Sequence, residues 1–139
     1  MLKSDTSAQY ILLVEDESDI LDLFCECLQS LGYKIVCFDN PIKALNYLEM
    51  KEDDEENILA KCSLLITDYK MPQMSGIDLI KKIREKDTTF KLKIILISAF
   101  IKSDIISKDI SNSLRIDKII EKPIPLKNLK DEVMILLSN

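Results

Sequence analysis

The sequence predicts an α/β protein, with a five-stranded parallel sheet wound by helices on both faces. Five short apolar runs alternate with five segments of helical periodicity. The runs are rich in Ile, Leu and Val and nearly continuous, as in strands buried on both faces. Carboxylates, a hydroxyl and an ammonium close these runs, at the strand ends where open α/β sheets bind ligands.

Residues 1–9 are polar and are expected to be a flexible N-terminus. Tyr10 to Val14 reads as the first strand and stops at Glu15-Asp16-Glu17. Ser18 or Asp19 can cap the next helix, whose buried face is Ile20, Phe24, Cys27 or Leu28, and Leu31, with Gly32 as its stop. Lys34 to Phe38 is the second strand. Asn40-Pro41 is a cap followed by proline at the first helical position, and Ile42, Leu45 and Leu48 give that helix an apolar face. The acidic run Glu49 to Asn57 reads as a solvated helix end or loop, and Ile58 to Cys62 as chain packing back onto the domain. Leu64 to Thr67 is the central strand, ended by Asp68. After a loop closed by Pro72 and Gly76, Ile77 to Arg84 is an amphipathic helix with Ile80 and Ile83 or Leu79 inward. Lys93 to Ile97 is the fourth strand, ended by Ser98-Ala99. Ser103 to Leu114 is a weaker helix with Ile105, Ile106 and Ile110 on one face, Lys118 to Ile120 the short fifth strand, and Lys127 to Leu137 the last helix.

Composition narrows the function. The 139 residues suit one domain with its own core, at 47% hydrophobic and 31% charged. A net charge of -5 provides no basic surplus to neutralise phosphates, so no direct nucleic-acid partner is expected. No apolar run is long enough to span a membrane, so no membrane insertion and a cytoplasmic location are expected. The lack of histidine excludes Ser-His-Asp and Cys-His hydrolases. Cys25, Cys27, Cys37 and Cys62 make no CxxC pair and are expected to be reduced, mostly buried thiols. Cys25 and Cys27 lie two apart on a helix and so point to different faces. The two glycines cannot build a dinucleotide phosphate loop.

Read together, the strand ends make a constellation. With the order 2-1-3-4-5, strands one and three are neighbours at the switch point. Glu15, Asp16 and Asp68 then converge, with Ser98 and Lys122 beside them. Singly, each has an ordinary explanation: Asp68 a turn cap, Glu15 and Asp16 a helix-leading pair, Ser98 a strand-end hydroxyl, Lys122 a solvated cation. Jointly, three carboxylates repel one another, and a divalent cation relieves that. All-oxygen acidic ligation suits Mg²⁺. A carboxylate beside Mg²⁺ and a lysine can act as a nucleophile toward phosphorus, with the cations offsetting the transferring charge.

Leu13-Val14-Glu15-Asp16-Glu17, Ile66 through Gly76, Ile97-Ser98-Ala99 and Glu121-Lys122-Pro123 resemble, in order, the signature of response regulator receiver domains. The resemblance covers almost the whole chain. It implies a flavodoxin-like, three-layer (βα)5 sandwich over residues 10–139, CheY-like and stand-alone, with no output domain. It implies that Asp68 is the phosphoacceptor and that Asp16, Glu15 and the backbone carbonyl of Lys70 join Asp68 around Mg²⁺. Ser98 would bond the phosphoryl group, Lys122 would pair with it, and the bond before Pro123 would be cis. The implied donor is a sensor histidine kinase or a histidine phosphotransfer protein. Output would pass by contact to an unknown protein target, from a monomer or weak homodimer that is not an enzyme in its own right. Two rival readings are a pseudo-receiver serving as a constitutive interaction module and a Mg-dependent phosphohydrolase with an aspartyl nucleophile. The second is disfavoured because Lys70 stands where that chemistry needs another acid.

The departures from the pattern fall on surfaces and switch elements. Ile119 occupies the position of the usual aromatic switch residue, three before the lysine, and Arg115-Ile116 replaces a common Gly-Ala pair. The stretch from Ala99 to Lys122 looks slightly long, and Glu52 to Glu56 looks like an insertion.

Overall fold

The computed structural model describes residues 9–50, 58–87, 91–99 and 107–138. The elements run β1 (Tyr10–Val14), α1 (Ser18–Gln29), β2 (Lys34–Phe38), α2 (Pro41–Glu49), a short 3-10 turn (Leu59–Lys61), β3 (Cys62–Asp68), α3 (Gly76–Lys86), β4 (Lys93–Ser98), α4 (Lys108–Leu114), β5 (Lys118–Glu121) and α5 (Leu126–Leu137). All strand pairs are parallel and the order is β2-β1-β3-β4-β5, as the alternation of elements predicts. Residues 1–8, most of the acidic run (51–57), and 103–106 of the expected fourth helix lie outside the described residues.

Side-chain alternation along the strands builds two core layers. Leu12, Val14, Leu65, Ile94 and Leu96 pack under α2 and α3 with Ala44, Leu48, Leu79, Ile80 and Ile83. Ile11, Leu13, Leu64, Ile66, Ile95 and Ile97 pack under α1 and α5 with Leu21, Phe24, Leu28, Leu129 and Val133.

Several local expectations are corrected. The N-cap of α1 is Glu17, ahead of Ser18 and Asp19, and Leu21 rather than Ile20 is the buried residue in its first turn. The side chain of Asn40 caps α2 through the amides of Ile42 and Lys43, which fixes the helical phase. That phase turns Pro41, Ala44 and Leu48 inward and leaves Ile42 exposed. Within the described residues α4 begins at Lys108, where the Ser107 hydroxyl accepts from the Ile110 amide. Arg84 on α3 is buried, an outcome its charge did not predict. Its guanidinium pairs with Asp87 and donates to the carbonyls of Leu114 and Arg115, tying α3 to the C-terminal end of α4. Arg115 has φ 54°, the left-handed conformation that usually favours glycine.

The expectation of four reduced thiols is also corrected, because Cys25 and Cys37 form a disulfide. Helix α1 lies along edge strand β2, and the inward flank of the helix presents Cys25 to Cys37. Their sequence separation is 12, for which loop-closure entropy gives a stabilisation of about 3 kcal/mol. Cys27 points away from this pair, toward the Leu126 carbonyl at 3.8 Å, as its two-residue offset requires. Cys62 is free and buried, and burial pushes its thiol up to about 12.

The two glycines are required for different reasons. A Cβ on Gly76 would collide with the Asp68 carbonyl oxygen and stand 2.9 Å from Leu96 Cδ1. Gly32 ends α1 with φ 89° but has open space around it. Gly76→Ala is therefore expected to cost about 2–3 kcal/mol by overpacking, and Gly32→Ala about 1 kcal/mol through its backbone conformation. Urea denaturation of both variants checks the order, and a larger loss for Gly32→Ala would refute the close-approach argument.

Candidate functional site

The strand ends on one side of β1, β3, β4 and β5 assemble a polar pocket. Val14 pairs with Thr67, and the next residues on each strand are Glu15 and Asp68. Glu15 continues the ladder past β1, its amide donating to the Phe38 carbonyl at 3.1 Å. Lys122 does the same past β5, its amide donating to the Ser98 carbonyl at 2.8 Å. Alternation then places Glu15 beyond Ile11 and Leu13, Asp68 beyond Leu64 and Ile66, and Lys122 beyond Ile120, all toward the α1–α5 layer. The peptide bond between Lys122 and Pro123 is cis, as expected.

The Lys122 ammonium is the centre of the cluster. Its Nζ lies 3.0 Å from Glu15 Oε1, 3.2 Å from Asp68 Oδ2 and 3.7 Å from Glu17 Oε1. Asp68 Oδ1 accepts from the Tyr69 amide at 3.1 Å, and Glu15 Oε2 accepts from the Glu17 amide at 3.1 Å. Glu15, Asp16 and Asp68 each present a carboxylate oxygen, and these atoms lie within 4.8 Å of one another. Ser98 is fully buried at the end of β4. Lys70 is exposed in the loop after Asp68. That loop is pinned where the Tyr69 amide donates to the Ile97 carbonyl and the Gly76 amide to the Tyr69 carbonyl, at 2.8 and 2.7 Å. The sequence-selected residues Glu15, Asp16, Asp68 and Lys122 thus meet in one pocket, with Ser98 on the neighbouring strand end. Glu17, which also faces Lys122, was missed. Its membership of the same acidic run as Glu15 and Asp16 was the available signal.

The electrostatics are strained. Burial pushes the Glu15 carboxyl up to about 7, and nearby Asp68 adds to the rise while Lys122 opposes it. Burial also raises Asp68, with a contribution from Asp16, against the lowering effect of Lys122. An ion pair would ordinarily lower its carboxylates. Here desolvation and the crowding of like charges outweigh a single ammonium. Burial disfavours the Lys122 ammonium as well, yet Glu15 and Asp68 together raise its pKa. The donor set is all oxygen and acidic, and it carries a repulsion that a hard divalent cation would relieve. The residues present therefore fit Mg²⁺.

This fold, with acidic residues at the switch point and a lysine at the end of the fifth strand, is the arrangement of a family of signalling modules. The chain belongs to the response regulator receiver domain family, whose description matches residues 11–134. It is 34% identical over 127 residues to the response regulator receiver protein CpdR of Brucella abortus, covering 91% of this chain and 95% of that one. It is 33% identical over 119 residues to chemotaxis protein CheV1 of Helicobacter pylori, covering 86% of this chain and 35% of that longer protein. Among solved structures, TrrA of Thermotoga maritima, in complex with Mg²⁺-BeF, is 32% identical with a TM-score of 0.68, covering 93% of this chain and 99% of that one. A CheY-like receiver domain protein of Methanospirillum hungatei shares the fold at 22% identity and a TM-score of 0.74, over 94% of both chains. The protein is a response regulator receiver domain of two-component signalling. Among the described residues no helix is long and apolar enough to cross a membrane.

The role of Lys122, among the described residues the one ammonium at these carboxylates, is testable without metal. Between about pH 4.5 and pH 7 the folded chain keeps a proton on Glu15 that the unfolded chain has released, so stability falls as pH rises through that window. Removing Lys122 raises both carboxyls further and steepens the fall. Lys122→Met is expected to cost about 1 kcal/mol near pH 5 and about 3 kcal/mol near pH 8. Urea titrations at the two pH values measure it, and an equal cost at both would contradict the assignment.

Proposed function

We propose that the chain is a phosphorelay receiver that accepts a phosphoryl group on Asp68 and signals by phosphorylation-dependent protein contact. The observation that carries this reading is Asp68 at the switch point, with Lys122 Nζ at 3.2 Å from Oδ2 and the oxygens of Glu15 and Asp16 within 4.8 Å of its own. An oxygen of Asp68 attacks the phosphorus of a partner's phosphohistidine. The P–N bond breaks, and the leaving imidazole takes up a proton. Glu15, Asp16, Asp68 and the Lys70 carbonyl would hold Mg²⁺, which supplies charge neutralisation at the phosphoryl oxygens. Lys122 exchanges carboxylate contacts for the new phosphoryl oxygens, and the Ser98 hydroxyl donates to another. The Mg²⁺-BeF complex of TrrA supports the same ligand chemistry here. The donor is a sensor histidine kinase or histidine phosphotransfer protein, and the domain works in the cytoplasm.

Intact-mass spectrometry after incubation with acetyl phosphate tests this directly. A Mg²⁺-dependent gain of one phosphoryl group is expected for the wild type and none for Asp68→Asn. If neither acetyl phosphate nor a phosphorylated kinase modifies the chain, and beryllofluoride with Mg²⁺ does not bind, the domain is a constitutive interaction module.

Metal binding should be linked to protons. With Glu15 at about 7, Mg²⁺ must displace a proton below that pH and none well above it. Mg²⁺ affinity is expected to rise with pH and level off above about pH 8, with proton release in weakly buffered solution near pH 6. Affinity independent of pH, with no protons released, would remove Glu15 from the ligand set.

A further inference from the structure

We propose that Cys25 and Cys37 are a redox-active dithiol, oxidised reversibly by a peroxide to the disulfide that joins α1 to the edge strand β2. The proposal is independent of the chemistry at Asp68.

The four thiols sort by position. Cys62 is buried, with its thiol pushed up to about 12 and its Sγ turned to the Leu64 carbonyl at 3.5 Å. It is neither reached by solutes nor ionised near neutrality. Cys27 faces the Leu126 carbonyl on the far flank of α1. Cys25 and Cys37 are the pair that meet, with Cα atoms 6.8 Å apart, within disulfide reach. Both are half-buried, so a small oxidant can approach them. The metal alternative fails on chemistry, because the chain has no histidine and, among the described residues, no third ligand joins these two thiols into a zinc site.

Nothing in the fold requires a permanent bridge here. Small disulfide-dependent domains lack a sufficient core, whereas this chain has two complete core layers. The bond instead fastens a helix to a strand at the edge of the sheet. Among the described residues strand β2 is a sheet edge, paired only with β1. Helix α1 starts at Ser18, directly after Glu17, whose amide donates to the Glu15 carboxylate. Closing the bond ties the middle of this helix to the edge strand, and opening it leaves apolar packing alone to do so.

The chemistry balances with a peroxide as oxidant. One thiol loses its proton, its thiolate attacks an oxygen of hydrogen peroxide, the O–O bond breaks to leave a sulfenic acid, and the departing hydroxide takes up that proton and leaves as water. The second thiol attacks the sulfenic sulfur and expels a second water. The two sulfurs lose two electrons in all and the peroxide gains two. A dithiol reductant reverses the state by exchange.

The test uses the whole chain. The protein is reduced, freed of reductant and treated with hydrogen peroxide. Remaining thiols are alkylated and the digest is mapped by mass spectrometry. The expected result is a Cys25–Cys37 cross-linked peptide, the loss of two hydrogens per chain, and full reversal by dithiothreitol. Cys27→Ser should leave the cross-link intact and Cys37→Ser should abolish it. Because the wild type is compared with itself in two redox states, no variant needs to fold for the outcome to be read. Amide hydrogen exchange should slow by about tenfold across α1 and β2 on oxidation, with β3 and β4 unchanged. A bridge through Cys27, an intermolecular dimer, irreversible oxidation of Cys25, or thiols that stay fully alkylatable after peroxide would each overturn the proposal.

Discussion

Lys122 stands 3.0 Å from Glu15 and 3.2 Å from Asp68, and the end of the sheet that holds them depends on that one ammonium. Three carboxylates share the pocket, and burial raises the pKa of two of them despite the lysine. The backbone enforces the arrangement. The amide of Lys122 is held by the Ser98 carbonyl and that of Glu15 by the Phe38 carbonyl, so both side chains stay aligned with strands they have formally left. A pocket this crowded with negative charge is poised for added positive charge, and a ligand that brings it relieves repulsion as it binds. The fold supplies the crowding because parallel strands bring four chain segments to one edge.

The parts of this architecture legible in the sequence are those written in one dimension. Buried parallel strands declare themselves as continuous apolar runs, and the polar residues that stop the runs are therefore the residues at the sheet's edge. Asp68 and Lys122 could be selected on that ground and meet as the topology requires. Rotational phase was less legible. In α2 the large residues Ile42, Leu45 and Leu48 suggested the buried face, but the Asn40 cap sets the phase, and small Ala44 lies fully buried on the inward face. Arg84 escaped notice because its charge disguises a buried position, satisfied by Asp87 three residues on and by two carbonyls that only the fold brings to it. The Cys25–Cys37 pairing was illegible for a related reason. Periodicity says which way a cysteine faces along its own helix, not which strand that helix will cover.

The two ends of the sheet have different tasks. At the C-terminal edge the loop after Asp68 is pinned at Tyr69 and Gly76, and a glycine lets α3 begin against the Asp68 carbonyl. At the opposite end Arg84 joins α3 to the last turn of α4, and the Asp117 carboxylate accepts from the Ile94 amide beneath it. The left-handed conformation of Arg115 is held there by its carbonyl's bond to Arg84. Ile119, in the position where related domains carry an aromatic, is half-buried and packs into the layer beneath α3 with Ile110 and Leu114 of α4. An isoleucine has neither the ring nor the polar tip that lets an aromatic sit in two places, inside against apolar neighbours or outside against water. The anchored end of α4 and the apolar Ile119 restrict rearrangement on that side. On the function proposed above, a phosphoryl group on Asp68 would act first on the neighbouring strand end, where Ser98 lends its carbonyl to Lys122 and its own side chain is wholly enclosed.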